Sequence, residues 1–283
     1  MRFEILDMLS LPGNPAKPND DAFCHSETLA AVFDGATGLG EQILPVDSDA
    51  AWIARRGAEG LILYEASNLS PREILARTAA DAEKQFLDLR LRPPAETYEI
   101  PFASMMFVAA QTDHVEALWF GDCAALVKRP NEDLQIVGEA FAKREHEANG
   151  AAALAAAHNI SAPASAINRP EFLAFLRKER NGVNSRPNRW LFSPDARSAE
   201  HAKSLSFASP PGTYLLLTSD GFLALATDYD RYDAQTLLEA AKTKGLRALY
   251  NELRDIENAD PEGRKYARFK KSDDATAILL QVR

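Results

Sequence analysis

Cysteine is scarce in this chain: Cys24 and Cys123 are the only two in 283 residues, and neither has a second cysteine nearby. That excludes a disulfide framework and a cysteine-ligated zinc site, and both residues read as small buried hydrophobes. The five histidines, at positions 25, 114, 146, 158 and 201, lack the paired spacing that zinc sites favour. No run of 18 apolar residues occurs, so no membrane helix is expected. Basic runs never exceed pairs such as Arg55-Arg56 and Lys270-Lys271, and 41 acidic against 32 basic residues give a net charge of −9. Nucleic acid is therefore an unsuitable partner. Met1 to Asp7 carries charges where a signal peptide needs an apolar core, and a cytoplasmic location with no membrane partner is expected.

What the chain does have is apolar bulk, 46% of its residues, enough for a large core. The length fits one large domain or two small ones. One domain over 1–283 is preferred, because its acidic blocks lie near opposite ends and no low-complexity linker divides them.

Phe3 to Leu9 reads as a first strand, and three prolines and a glycine make Leu11 to Pro18 an irregular loop. Ala22–His25 and Leu29–Phe33 read as strands joined by a tight turn at Ser26-Glu27. As an antiparallel pair they place Asp20, Asp21 and Asp34 at the same sheet edge. Ala50–Ala66 has helical spacing (Ile53, Leu61, Tyr64), and Ser70-Pro71-Arg72-Glu73 predicts a capped helix start. Strands follow around Ala103–Gln111, Val115–Phe120, Cys123–Lys128 and Gln135–Val137. Phe141 to Asn168 reads as helical and then irregular, with Ala151–Ala157 helix-favouring by propensity. Then come a helix at Glu171–Arg180, a polar loop at Asn181–Pro194, strands at Ser204–Phe207 and Tyr214–Thr218, helices at Asp233–Lys244 and Leu246–Ala259, and a last strand, Ala275–Val282. This order predicts an α+β fold of two packed sheets with helices outside.

Four acidic blocks stand out at strand ends: Asn19-Asp20-Asp21-Ala22, Val32-Phe33-Asp34-Gly35, Leu217-Thr218-Ser219-Asp220-Gly221 and Ser272-Asp273-Asp274-Ala275-Thr276. Singly each has a plain structural reading. Asp34-Gly35 marks a turn, Asp20-Asp21 a helix cap or solvated turn, and Asp273-Asp274 a solvated pair beside Lys270-Lys271. Jointly they predict one acidic metal site assembled by folding, and oxygen ligands select hard cations.

With Ala103-Ser104 and Phe120-Gly121-Asp122-Cys123, these blocks in this order resemble the metal-dependent protein phosphatase family (PPM, PP2C-like), as a divergent bacterial-type member. The resemblance spans nearly the whole chain through a small minority of its residues. It implies a four-layer α-β-β-α sandwich, two antiparallel sheets flanked by helix pairs. It also implies two Mn²⁺ or Mg²⁺ ions, with Asp34 bridging them, the Gly35 carbonyl on one, and Asp220 and Asp273 on the other. Asp20 falls where the family has Glu or Gln near the second metal, and Asp21 where an Asp orients the attacking water. Asp122 matches the residue that, with Asp220, holds a third metal in bacterial relatives. The implied reaction is in-line hydrolysis of a phosphomonoester by a metal-activated water, most naturally on phosphoserine or phosphothreonine in signalling proteins.

Departures from that pattern are concentrated around substrate. Ala36-Thr37-Gly38-Leu39-Gly40 stands where the family has Met-Gly-Gly-His. The usual phosphate-clamping arginine is Ala16, beside which Lys17 is a candidate point charge or a plain surface lysine. The Ser-Gly-X-Thr stretch appears as Ala103-Ser104-Met105-Met106, Ala124 replaces an arginine, and the Thr-Arg-Asp-His segment is unrecognisable. Asp122 also has a plainer reading as a hairpin-shaping residue. Arg186 and Arg189 could bring positive charge from a loop, although a solvated or structural role suits them better, and a divergent segment is expected at about 138–204. Two further readings therefore stand beside the protein phosphatase: a catalytically silent PP2C-like regulatory module, and a phosphatase of a small phosphorylated metabolite.

Overall fold

A computed structural model describes residues 1–141, 170–186, 189–268 and 270–283. The expected helical and irregular stretch at Phe141–Asn168 lies, beyond Phe141 itself, outside the described residues. The described strands are β1 (Phe3–Leu11), β2 (Asp21–His25), β3 (Leu29–Gly35), β4 (Ala103–Ala110), β5 (His114–Phe120), β6 (Ala124–Lys128), β7 (Gln135–Val137), β8 (Lys203–Ala208), β9 (Tyr214–Thr218) and β10 (Ala275–Val282). The helices are α1 (Asp49–Glu65), α2 (Pro71–Leu89), α3 (Pro170–Arg180), α4 (Asp220–Thr227), α5 (Ala234–Lys244) and α6 (Leu246–Ala259).

Strands β1-β10-β9-β6-β7 form the first sheet and β2-β3-β4-β5-β8 the second, all neighbours antiparallel. Side chains alternate between two apolar environments along each central strand, as the period-two pleat requires. On β3, Ala30 and Val32 join the core between the sheets, while Ala31 and Phe33 pack under Trp52, Ile53 and Leu61 of α1 and Leu75 and Phe86 of α2. On β10, Ile278, Leu280 and Val282 enter the same inter-sheet core. Ala275, Ala277 and Leu279 instead meet Phe222 of α4, Leu237 and Leu238 of α5, and Leu249 and Leu253 of α6. Three apolar layers thus separate four structural ones, the α-β-β-α arrangement.

Local sequence fixes several element ends. Ser48 caps α1 by accepting the Ala51 amide. Ser70 and Glu73 form the reciprocal capping box of α2, with Pro71 at its first turn. Asp233 caps α5 in the same way with Thr236. Cys24 and Cys123 are both buried free thiols. Trp52 is buried, and Trp190 stacks on His201 at 3.6 Å between ring centroids. One expectation needs correction: Asp220 does not sit on a bare strand rim. Thr218 ends β9, Ser219 is the N-cap residue, and Asp220 opens helix α4.

Candidate active site

The β2–β3 pairing sets Asp21 directly opposite Asp34, and β3–β4 sets Asp34 opposite Ser104. Cross-strand partners share a face, and the alternation through Val32 and Met106 makes it the face toward the other sheet. At this end of the sandwich the inter-sheet core therefore gives way to a row of polar groups. Opposite them, the Ser219 hydroxyl accepts the Thr276 amide at 3.0 Å, and the Ser219 amide donates to the Thr276 carbonyl at 2.9 Å.

The Asp34 carboxyl lies within electrostatic reach of the Asp220 carboxyl. Burial pushes the Asp34 carboxyl well above the ordinary aspartate range, and the charges of Asp220, Asp21 and Asp273 add to the shift. Asp21 is likewise pushed well up, by burial first and then by Asp273, while the Thr276 hydroxyl works the other way. Burial raises Asp20 too, against the hydrogen bond it accepts from the Ser48 hydroxyl. The four blocks are thus brought within electrostatic reach of one another. Asp122 accepts the Ser104 hydroxyl at 2.6 Å. It joins the group through Cys123, whose thiol is raised well above its ordinary value by burial and then by Asp34, Asp122, Asp21 and Asp220.

Loop backbones are packed as closely as the side chains. The Gly35 amide donates to the Asp20 carbonyl at 3.1 Å, and a Cβ on Gly35 would stand 2.5 Å from both the Asp20 and Ala50 carbonyl oxygens. Asp274 is a structural acceptor, taking the Gly13 amide at 2.7 Å and the Asp20 amide at 2.6 Å. It thereby ties the loop before β10 to the loop before β2.

Among the described residues no three His, Cys, Asp or Glu side chains stand ready to hold an ion. The donor set still fits a hard divalent cation. Its groups are carboxylates whose burial and mutual repulsion a cation would relieve, and Asp21 Oδ2 is buried without a hydrogen-bond partner.

A cleft of about 1130 Å³ opens beside the acids, and Asp20, Asp273 and Asp274 line it. Lys17, Arg177, Arg254 and Lys270 also line it, so an acidic end meets basic walls suited to a phosphate ester. Lys17 is exposed there. Arg186 and Arg189 are not among the cleft-lining residues, and Arg189 pairs with Glu179 at 3.0 Å.

The sequence reading missed the residues that hold the divergent 36–40 loop. Arg177 Nε donates to the Leu39 carbonyl at 2.7 Å, and Arg180 to the Thr37 carbonyl at 2.6 Å, both from α3. It also missed Ser48, Lys270 and Arg254, which donates to the Asp273 carbonyl at 2.6 Å. For Lys270 a signal existed in its place three residues before Asp273.

No protein-family profile matches this sequence, and no curated protein does so. Solved structures share its fold. The serine/threonine phosphatase PstP/Ppp of Mycobacterium tuberculosis is 12% identical, with 100% of each chain covered and a TM-score of 0.59. The PstP catalytic domain in complex with two manganese ions is 12% identical, over 99% of this chain and 98% of that one, with a TM-score of 0.55. PppA of Pseudomonas aeruginosa is 16% identical, over 100% of this chain and 99% of that one, with a TM-score of 0.59. The fold is the PPM phosphatase fold. Its two antiparallel sheets and outer helices agree with the arrangement expected from the order of elements and from the family resemblance. Among the described residues of this PPM fold, no helix is long and apolar enough to cross a membrane.

Proposed function

We propose that the chain is a metal-dependent phosphomonoesterase, a hydrolase acting on phosphoserine or phosphothreonine in proteins, with 1–283 as one catalytic domain. The observation that carries this reading is the meeting of Asp21, Asp34, Asp220 and Asp273, from four separate segments, beside a basic cleft. The PPM fold, shared with a phosphatase that binds two manganese ions, supports it.

In this reading Asp34, the Gly35 carbonyl, Asp220, Asp273 and Asp20 would hold two Mn²⁺ or Mg²⁺ ions, and Asp122 with Asp220 a third. The ions would supply an acidified water and offset the charge of a phosphate dianion. Asp21, whose Oδ2 lacks a partner, accepts a hydrogen bond from the attacking water and so orients it. Lys17, on the cleft wall, pairs with a phosphate oxygen as a point charge in place of the absent arginine. The water oxygen bonds to phosphorus as the bond to the serine or threonine oxygen breaks, in line, and the proton the water gives up is balanced by protonation of that departing oxygen.

The silent-module reading has an observation of its own: Ala16 occupies the place of the phosphate arginine, and Lys270 already pairs with Asp273. Hydrolysis of an aryl phosphate and a phosphothreonine peptide, with manganese, magnesium or chelator, separates the two. Manganese-dependent turnover lost in Asp34→Ala is expected. Absence of turnover in the metal-loaded wild type would leave the silent module, and a large preference for small esters would favour a metabolite phosphatase.

A further inference from the structure

The acidic cluster already has a cation against it. Lys270, on the loop before β10, sets its ammonium 2.5 Å from Asp273 Oδ1 and 3.5 Å from the Thr37 hydroxyl. It therefore bridges the segment that carries Asp273 and the segment that follows Asp34, which belong to different sheets. Partial burial disfavours its charge, but attraction to Asp273, then to Asp220 and Asp34, outweighs that and raises its pKa. Among the described residues no other neighbouring cation pairs with the Asp273 carboxylate: Arg254 pairs with Glu257 at 2.5 Å and reaches only the backbone carbonyl of Asp273, at 2.6 Å, Lys271 meets the Asn258 side chain at 2.9 Å, and Arg177 the Leu39 carbonyl.

We propose that Lys270 is a tethered counter-ion of the acidic cluster: its ammonium holds Asp273 in the metal-free protein, and divalent-ion binding at Asp34, Asp220 and Asp273 requires it to leave. The proposal rests on the two-metal reading of the same residues. The exchange needs no proton transfer, because the ammonium stays charged and moves into water while a doubly charged ion takes over its carboxylate. The side chain is 39% exposed, and its flexible four-carbon stem allows that movement. The consequence is a raised threshold for metal: the ion competes with a group of the chain itself, and its apparent affinity falls by the fraction of sites the ammonium holds.

Calorimetric titration of Mn²⁺ into the metal-stripped full chain tests this with wild type, Lys270→Gln, Lys270→Arg and Lys271→Gln. Lys270→Gln should bind about tenfold tighter than wild type, the size expected from removing one closely paired charge. Lys270→Arg should bind no tighter, and Lys271→Gln should stay within about twofold, as a cation that touches no cluster carboxylate. Binding in Lys270→Gln equal to or weaker than wild type overturns the counter-ion while leaving the two-metal reading standing. An equal gain in Lys271→Gln overturns it as well, by reducing the effect to general charge. Binding by neither wild type nor Lys270→Gln removes both readings, and binding by Lys270→Gln alone supports the counter-ion and makes the natural chain a metal-excluding one. A measurement on wild type alone is independent of any variant's folding. Acylation of the Lys270 amine, followed by peptide mass spectrometry, should rise when Mn²⁺ is added, and an unchanged or lower yield overturns the proposal.

Discussion

Asp34 is a buried carboxyl whose strongest electrostatic neighbours, Asp220, Asp21 and Asp273, are all acids. Its pKa in the folded chain stands well above the 3.8 of an ordinary aspartate. A carboxyl raised in this way gives its full stabilisation below the unfolded value, and that stabilisation is lost as pH rises through the folded value. Without metal, Asp34 therefore weighs against folding at neutral pH. Asp34→Asn should melt higher than wild type in chelator at pH 7.5, by about 2–4 °C for each kcal/mol of repulsion removed. The gap should close as the pH falls toward 4. Equal melting at pH 7.5 would mean that the charge is already compensated, and would place the Lys270 ammonium closer to Asp34 than its pairing with Asp273 implies.

At the scale of elements, legibility followed periodicity. The β2–β3 hairpin was readable because its apolar runs have the right length and its turn is polar, and the pairing of Asp21 with Asp34 follows from that register alone. The capping box at Ser70 was readable because a cap is a local hydrogen-bond pattern. Helix α4 was not. Gly221-Phe222-Leu223-Ala224-Leu225 is apolar on every side, because the helix is buried between the first sheet and α5 and α6, so no periodicity separates it from the preceding strand. The contacts of Lys270, Arg177 and Ser48 were equally hidden, since they depend on where loops meet in space. Helix α4 also carries a testable constraint. A Cβ on Gly221 would stand 2.0 Å from the Asp274 carbonyl oxygen and 3.0 Å from Asp273 Cβ. Gly221→Ala must therefore push the first turn of α4, with Asp220, away from the Asp273 loop. A loss of about 1–3 kcal/mol in urea unfolding is expected from such overpacking, together with weaker Mn²⁺ binding in calorimetry. Wild-type values for both would show that the close approach has no bearing on the site.

At the scale of the molecule, the site lies where two sheets end together, and each supplies half of its acids. Asp21 and Asp34 belong to β2 and β3 of the second sheet, while Asp220 and Asp273 flank β9 and β10 of the first. Between the sheets the apolar core runs from Phe3 and Val282 to Cys123, and it presses together ends that carry like charge. A cation bound there turns repulsion between the sheets into attraction. It should therefore stabilise the whole sandwich and not merely one loop. At a free Mn²⁺ concentration 100 times its dissociation constant, one site contributes about 2.7 kcal/mol, which for a chain of this size is a rise of about 5–10 °C in Tm. Chelator should reverse the rise, and Asp34→Ala should remove most of it. Because the acids come from both sheets, the gain should appear in a single cooperative transition. A separate early transition, with Mn²⁺ shifting only that one, would show that the acids are held by a locally unfolding loop cluster and that the sheets are not joined through them.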